Sequence, residues 1–221
     1  MIVYKFGGTS LANATRMKSV ADLVTRDDEQ KVVVLSAASG TTDTLIKLSA
    51  ASAEEGELII QGMEAQYQQY VSELFDYTDC KQAAERFLEY TFSSLREALG
   101  KSLPRDEKWF VAYGEIMSTS LFSLLLVERG ISSAYLAALD FMRIREGEPD
   151  MESIKKLLPE IMTAAGDVKI YITQGYICRN EHGQIDNLRR GGSDYSATII
   201  GAALLADEIQ IWTDIDGVHN N

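Results

Sequence analysis

The stretch IVYKFGGTSLANATR, residues 2–16, decides the fold that this sequence can adopt. A short apolar run, IVYKF (2–6), ends at Gly7-Gly8 and is followed directly by residues of helical period. This order predicts a buried strand, a tight glycine turn and a helix, the unit from which parallel α/β sheets are built. Lys5 is unexpected in such a strand, because a buried cation must be paired or hydrated. Lys5 therefore marks a candidate functional position.

The same alternation continues along the chain. Further short, almost continuously apolar runs lie at residues 31–36, 132–139, 167–174 and 208–212. Strands of this kind are covered on both faces in a mostly parallel sheet. Segments of helical period lie between them, at residues 10–27, 41–52, 54–77, 80–100, 105–129, 151–165 and 194–206. We predict an α/β fold, a three-layer α/β/α sandwich around a mostly parallel central sheet.

Three segments bear on domain organisation. Residues 54–130 are almost entirely helical in pattern, which predicts either a lid or a helical layer that carries part of a pocket. Residues 175–188 read as a hairpin around the turn NEHG (180–183). Without an internal repeat, low-complexity tract or linker, residues 1–221 are predicted to form one domain. The chain ends on a strand and a turn, so we expect this domain to be incomplete at its C-terminus.

Composition excludes several classes of partner. The chain has 21 basic and 33 acidic residues, a net charge of −12, which argues against binding to nucleic acid or to an anionic membrane. Cys80 and Cys178 lack metal or disulfide spacing, which indicates a reducing compartment. The first residues do not resemble a signal peptide, and the apolar stretch 116–127 is too short to span a bilayer. A cytoplasmic protein is expected.

Three turns share one design, a strand that ends in small or hydroxyl residues and runs into a helix. They are KFGGTS (5–10), LSAASGTTD (35–43) and RRGGSDYSA (189–197). Helix N-termini bind anions, and such turns meet outside the carboxyl ends of parallel strands. Each turn alone is equally consistent with a tight turn capped by Ser10 or Ser193, and the chain contains neither GxGxxG nor GxxxxGK[ST]. Lys5 together with Arg190 favours a phosphate-binding site.

These motifs, with YGEIMST (113–119) and WTDIDGV (212–218), resemble the catalytic domain of aspartate kinases in the amino acid kinase family. The resemblance implies that ATP, with Mg²⁺, phosphorylates the side-chain carboxylate of L-aspartate to give 4-phospho-L-aspartate and ADP. This is the entry step of lysine, threonine and methionine biosynthesis. Such enzymes continue into further nucleotide-binding residues and ACT domains, so a chain ending here is expected to bind ATP weakly or to be inactive. A homodimer is a further implied possibility.

The resemblance assigns one group of residues to ATP. Lys5 is expected along the β- and γ-phosphates, oriented by Asp194, and these two are the expected catalytic residues. Mg²⁺ is expected to be held mainly by the phosphates of ATP, with no side chain of the protein as a ligand. The other expected ATP-binding residues are Gly7, Gly8, Ser10, Thr213 and Asp214.

A second group is implied for the amino acid. Ser36, Thr42 and Ser193 correspond to hydroxyls beside aspartate and the transferred phosphoryl group. Glu115 corresponds to the acid that holds the α-amino group, and Arg190 to the base that binds the α-carboxylate. A carboxylate nucleophile has a reference pKa of about 3.9 and is already ionised, so no general base is needed. Without the resemblance, the favoured interpretation of Glu115 is a glutamate at the solvated edge of a helix or one paired with an arginine.

The chain departs from the family pattern before its arginine motif. Many aspartate kinases read TTTLGRGG where this sequence reads IDNLRRGG (185–192), with Asn187 and Arg189 in changed positions. Arg189 is expected to contact phosphate, Asp186 or water. Two alternatives stay open: a kinase of the same family with a glutamate-like acceptor, and a non-catalytic module that binds an amino acid or nucleotide.

Overall fold

The structure, a computed structural model, describes residues 1–188 and 191–213. The long strands of this part are β1 (Ile2–Phe6), β2 (Lys31–Leu35), β3 (Ser133–Leu136), β6 (Ile170–Gln174) and β9 (Glu208–Trp212). Two short pairs accompany them, β4 (Ile144–Arg145) with β5 (Glu148–Pro149) and β7 (Ile177–Arg179) with β8 (Ile185–Asn187). The helices are α1 (Ala14–Val24), α2 (Thr41–Ala50), α3 (Ala53–Leu74), α4 (Thr78–Leu99), α5 (Glu107–Glu128), α6 (Ala138–Phe141), α7 (Met151–Ala165) and α8 (Gly192–Leu204).

Within the described residues, the central sheet has five strands in the order β3-β6-β2-β1-β9, and all neighbouring strands are parallel. Lys5 pairs in register with Val34 of β2 and with Ile211 of β9. The carboxyl ends of these strands therefore meet at one edge of the sheet, where the three glycine- and hydroxyl-rich turns were predicted to converge.

Successive side chains of each strand point to opposite faces of the sheet, and this produces two core layers. Tyr4, Phe6 and Leu35 pack with α1 to α5 on one face, and Val3 and Val34 pack with α6 to α8 on the other. The predicted three-layer α/β/α sandwich is confirmed. The lysine at position 5 shares the face of Val3 and Val34, so it points toward the layer that contains α8.

The long helix α5 forms the middle of the larger layer. By length and mean hydropathy alone it could cross a membrane, but 67% of its most apolar window is buried inside this fold, as in a core helix. Together with α3 and α4 it occupies most of the block 54–130, and side chains of all three helices belong to one apolar cluster with the sheet. This packing favours a helical layer over a lid.

Two predicted boundaries were wrong. The apolar run 132–139 was predicted as one strand, but the strand ends at Leu136 and α6 begins at Ala138, whose amide donates to Gln174 Oε1 at 2.7 Å. The helix predicted from residue 10 begins as a 3₁₀ turn at Gly8–Leu11, and α1 starts only at Ala14. Asn13 sets that start, because its side chain accepts from the Arg16 amide at 2.9 Å.

Candidate active site

Lys5 lies one residue before the end of β1, with only 9% of its side chain exposed. Its Nζ is 2.7 Å from Oδ1 of Asp194, in the first turn of α8. The Asp194 side chain is 47% exposed, so the ion pair is covered on the lysine side and open on the carboxylate side. The contact is an ion pair: Asp194 Oδ1 is itself buried and makes no hydrogen bond of regular geometry with the described residues. The structure therefore brings together the two residues predicted to be catalytic.

The glycine turn after β1 packs closely against its neighbours. A Cβ at Gly7 would be 3.4 Å from Lys5 Nζ, and a Cβ at Gly8 would be only 2.8 Å from the carbonyl oxygen of Ala37. The Gly7 amide donates to the Trp212 carbonyl at 3.2 Å, which continues the pairing of β1 with β9. Ser10 is fully buried, and its Oγ has no partner among the residues that the structure describes. A side chain at Gly8 would therefore collide with the loop after β2.

The loop after β2 forms one wall of a cavity at this edge of the sheet. The Ser36 carbonyl accepts from Ser118 Oγ of α5 at 2.6 Å, and the Ser39 amide donates to the Gly8 carbonyl at 3.1 Å. Gly40 adopts φ +82° immediately before α2, a conformation that favours glycine. Ser36 and Thr42, at the two ends of this loop, line a cavity of about 300 Å³. It is lined by Gly8, Ser36, Ala37, Ala38, Ser39, Gly40, Thr42, Glu115, Tyr176, Gly192 and Ser193.

Glu115 is the buried acid of this sheet-edge cavity. It is 3% exposed, and its Oε2 has no hydrogen-bond partner among the described residues. Burial raises its pKa to about 8, against a smaller lowering by backbone donors that include the Ala37 amide. A Cβ at Gly114 would be 2.8 Å from the Ala37 Cβ, so α5 approaches the loop closely at the residue before Glu115. The solvated interpretation of Glu115 does not fit this burial, and no arginine among the described residues forms an ion pair with it.

The start of α8 completes the cavity. Gly191 precedes the helix with φ +77°, and Gly192 lies so close to Tyr176 that a Cβ would be 2.2 Å from its Cδ2. Ser193 packs on Gly175, where a Cβ would be 2.7 Å from the serine Cβ. Ser193 thereby lines the cavity beside Glu115 and Thr42.

Tyr176 is a lining residue that sequence reasoning missed. Its φ is +67°, and the Ile177 amide donates across it to the Gly175 carbonyl at 2.7 Å, the pattern of a strained γ-turn. The Tyr176 amide donates to Ser196 Oγ of α8 at 2.8 Å. The signal available in the sequence is its position two residues after Gln174, the last residue of β6, at the edge where ligands bind. Nothing in the residue type predicts a positive φ.

Several predicted residues do not line the cavity or lie outside the described part. Thr213 is exposed, and its carbonyl accepts from Thr9 Oγ1 at 2.7 Å, which joins the end of β9 to the glycine turn. Arg190, Asp214 and Arg189 lie outside the described residues. Asp186, one suggested partner of Arg189, is 2.6 Å from Lys108 Nζ, so the β7–β8 hairpin is tied to the first turn of α5.

The chemistry of the site is that of a binding pocket for a small polar ligand. A buried carboxylate faces the cavity, hydroxyls of Ser36, Thr42 and Ser193 line it, and the Lys5–Asp194 pair lies beside the adjoining glycine turn. Among residues 1–188 and 191–213, no three His, Cys, Asp or Glu side chains are grouped to hold a metal ion. The arrangement suits a ligand that brings an ammonium group to Glu115 and anionic groups to Lys5.

The fold and this site define an α/β/α protein with a ligand pocket at the carboxyl ends of a parallel sheet. The chain belongs to the amino acid kinase family, whose sequence model matches residues 1–221. It is 33% identical to lysine-sensitive aspartokinase 3 of Escherichia coli over 99% of this chain and 50% of that protein. An aspartokinase of Chlamydia pneumoniae is 32% identical over 99% of this chain and 48% of its own length.

Solved structures agree with the sequence comparison. Escherichia coli aspartokinase III, in complex with aspartate and ADP, superposes with a TM-score of 0.82 at 32% identity, covering 99% of this chain and 50% of that one. The predicted resemblance to aspartate kinases is thereby confirmed. The chain spans about half the length of these relatives.

Proposed function

We propose that this chain contributes the catalytic region of an enzyme that transfers the γ-phosphoryl group of ATP to the side-chain carboxylate of L-aspartate. The observation that carries the proposal is Glu115, a buried carboxyl group at the wall of the sheet-edge cavity, with one oxygen that has no partner among the described residues. A buried acid of this kind is costly unless a ligand supplies a cation. The α-ammonium group of an amino acid is such a cation.

The phosphate end of the site rests on different residues. Lys5 directs its ammonium over Gly7, and Asp194 holds it there at 2.7 Å. The absence of a side chain at Gly7 keeps the space beside Lys5 Nζ open, so that a phosphate could approach the backbone there. Mg²⁺ bound to the phosphates of ATP would supply further neutralisation of the transferred charge.

The reaction needs alignment rather than proton abstraction. One oxygen of the aspartate β-carboxylate forms a bond to the γ-phosphorus, the bond from that phosphorus to the β–γ bridging oxygen breaks, and ADP departs. The attacking carboxylate is ionised at neutral pH, so no base is required. Two anions must be held in line, and Lys5 offsets their repulsion while Glu115 and the lining hydroxyls orient the acceptor.

The relatives support this assignment of substrates. Escherichia coli aspartokinase III has been solved with aspartate and ADP, and both relatives named above are aspartokinases. Roles for Arg190 at the α-carboxylate, and for Thr213 and Asp214 near the adenosine, follow from the motif resemblance alone. A cytoplasmic location and a homodimer also stay predictions.

Release of ADP by the full-length gene product tests the proposal. With ATP and Mg²⁺ present, we expect L-aspartate to support turnover at least tenfold faster than L-glutamate, because an extra methylene must shift the carboxylate out of line. Assays without acceptor correct for ATP hydrolysis. Equal rates with both amino acids would contradict the assignment of aspartate. ADP release that neither amino acid raises above the acceptor-free rate would contradict the proposed function.

A further inference from the structure

Two tyrosines of α3, Tyr67 and Tyr70, join two walls of the candidate site. They are three residues apart, so they share one face of the helix, and their rings stack with centroids 6.1 Å apart and planes 20° apart. Their exposed fractions are 2% and 7%. The sequence pattern identifies both only as core residues. Their hydroxyls, however, bond to two different segments of the site.

Tyr70 holds the glycine turn. Its hydroxyl donates to the carbonyl of Leu11 at 2.9 Å, in a buried position. Leu11 is the last residue of the 3₁₀ turn Gly8–Leu11, which begins at a glycine that lines the cavity. The bond therefore fixes the far end of the turn that lies beside Lys5. Without the hydroxyl, a buried carbonyl would lose a hydrogen-bond partner.

Tyr67 holds the loop that follows β2. Its hydroxyl is 3.0 Å from Thr41 Oγ1, also in a buried position. Thr41 is the first residue of α2 and immediately precedes Thr42, which lines the cavity. A Cβ on Gly114 would be 3.6 Å from the Thr41 methyl, so Thr41 lies between α3 and the residue before Glu115.

Both phenols remain protonated over the working pH range. Burial raises the pKa of Tyr67 to about 12, and burial also raises the pKa of Tyr70. The Tyr70 hydroxyl therefore keeps the proton that it donates to the Leu11 carbonyl, which can only accept.

We propose that Tyr67 and Tyr70 are positioning residues that set the spacing between the phosphate side and the amino acid side of the site. Their stacked rings act as one rigid piece, with the glycine turn bonded to one hydroxyl and the Thr41–Thr42 segment to the other. The proposal rests on the proposed function for its assignment of substrates to the two sides. In-line transfer depends on such spacing, because small misplacements of the reacting groups slow it strongly.

Tyr67→Phe and Tyr70→Phe test this in the full-length gene product, since each removes one hydroxyl and keeps the ring. We expect Tyr70→Phe to raise the KM for ATP and Tyr67→Phe to raise the KM for aspartate, each by about threefold to tenfold, the factor that one hydrogen bond is worth. The KM for the other substrate should change less than twofold, while kcat falls in both variants. Tyr90→Phe, at a tyrosine 71% exposed on α4, is the matched control and should change neither KM.

Amide hydrogen exchange on the same variants measures the local opening of the two loops and does not depend on turnover. Tyr70→Phe should speed exchange at residues 8–12, and Tyr67→Phe should speed exchange at residues 38–44. Equal effects of the two variants on both loops, or no effect on either, would overturn the proposal even if the wild-type protein phosphorylates aspartate. The separated exchange pattern without any aspartate-dependent turnover would instead support the anchoring role and contradict the proposed function.

Discussion

At the scale of single residues, the candidate site depends on the buried carboxyl group of Glu115. Glu115 has an oxygen without a partner among the described residues, and its pKa is raised to about 8 by burial. In an unfolded chain the reference value is 4.5, so the folded protein binds this proton more tightly. A ligand ammonium would favour the charged form and lower the pKa again.

Binding of aspartate at pH 7 should therefore release close to one proton from Glu115. Titration calorimetry in buffers of different ionisation enthalpy measures this number directly. Glu115→Gln should abolish the proton release and weaken aspartate binding, because a neutral amide cannot pair with an ammonium group. A binding enthalpy that is the same in all buffers for the wild-type protein would contradict the assignment.

The same shift predicts how stability depends on pH without ligand. A raised pKa stabilises the fold fully below about pH 4.5, and that contribution is lost progressively as pH rises to about 8. Glu115→Gln should flatten the loss over this window when unfolding by urea is followed at several pH values. If the free energy of unfolding of the wild type rises relative to that of Glu115→Gln between about pH 4.5 and 8, the raised pKa of Glu115 is contradicted.

At the scale of elements, the site is made by backbones that approach one another closely. Gly8 lies against the loop after β2, Gly114 brings α5 onto the same loop, and Gly192 lets α8 pack on Tyr176. Each contact joins a different element to the sheet edge, so a side chain at any of them must displace a wall of the cavity.

Gly8→Ala tests this packing, because its Cβ would lie 2.8 Å from a backbone oxygen that cannot rotate away. We expect a loss of about 1–3 kcal/mol in the free energy of unfolding, measured with urea, and higher KM values for both substrates. Gly62→Ala is the matched control, since nothing lies within 4 Å of a Cβ there, and a helix-interior alanine should gain up to about 1 kcal/mol. Equal stabilities for the Gly8 variant and wild type would refute the close-contact account.

Sequence patterns predicted the elements better than their contacts. Hydrophobic runs and glycine turns located the parallel strands. Because the turns that follow parallel strands meet at one edge of the sheet, Lys5, Ser36 and Ser193 were expected close together. The positive φ of Tyr176 gave no signal, because it depends on bonds to Gly175 and Ser196 that form only in the fold. Helical periodicity places Tyr67 and Tyr70 on one face of a helix, but the partner of each hydroxyl is set by tertiary packing.

At the scale of the whole molecule, the proposed function requires a chain with an excess of acidic residues to bind an anion. The net charge of −12 would repel ATP, so attraction must come from local donors such as Lys5 rather than from the overall field. The buried Lys5 is thus central to the account. The chain offers a comparison in Lys31, a fully buried lysine on the adjacent β2, which bonds to Asp27 and the Glu29 carbonyl at the opposite edge of the sheet.

The most direct test is the rate of acyl phosphate formation, trapped with hydroxylamine, by the full-length gene product and its Lys5→Ala variant. We expect the wild type to form acyl phosphate only with both ATP and aspartate present. In the variant this rate should fall on the order of a hundredfold to a thousandfold, while aspartate binding measured by calorimetry persists. Lys31→Met should lower stability without a comparable loss of rate. Near-normal acyl phosphate formation by Lys5→Ala would contradict the central claim.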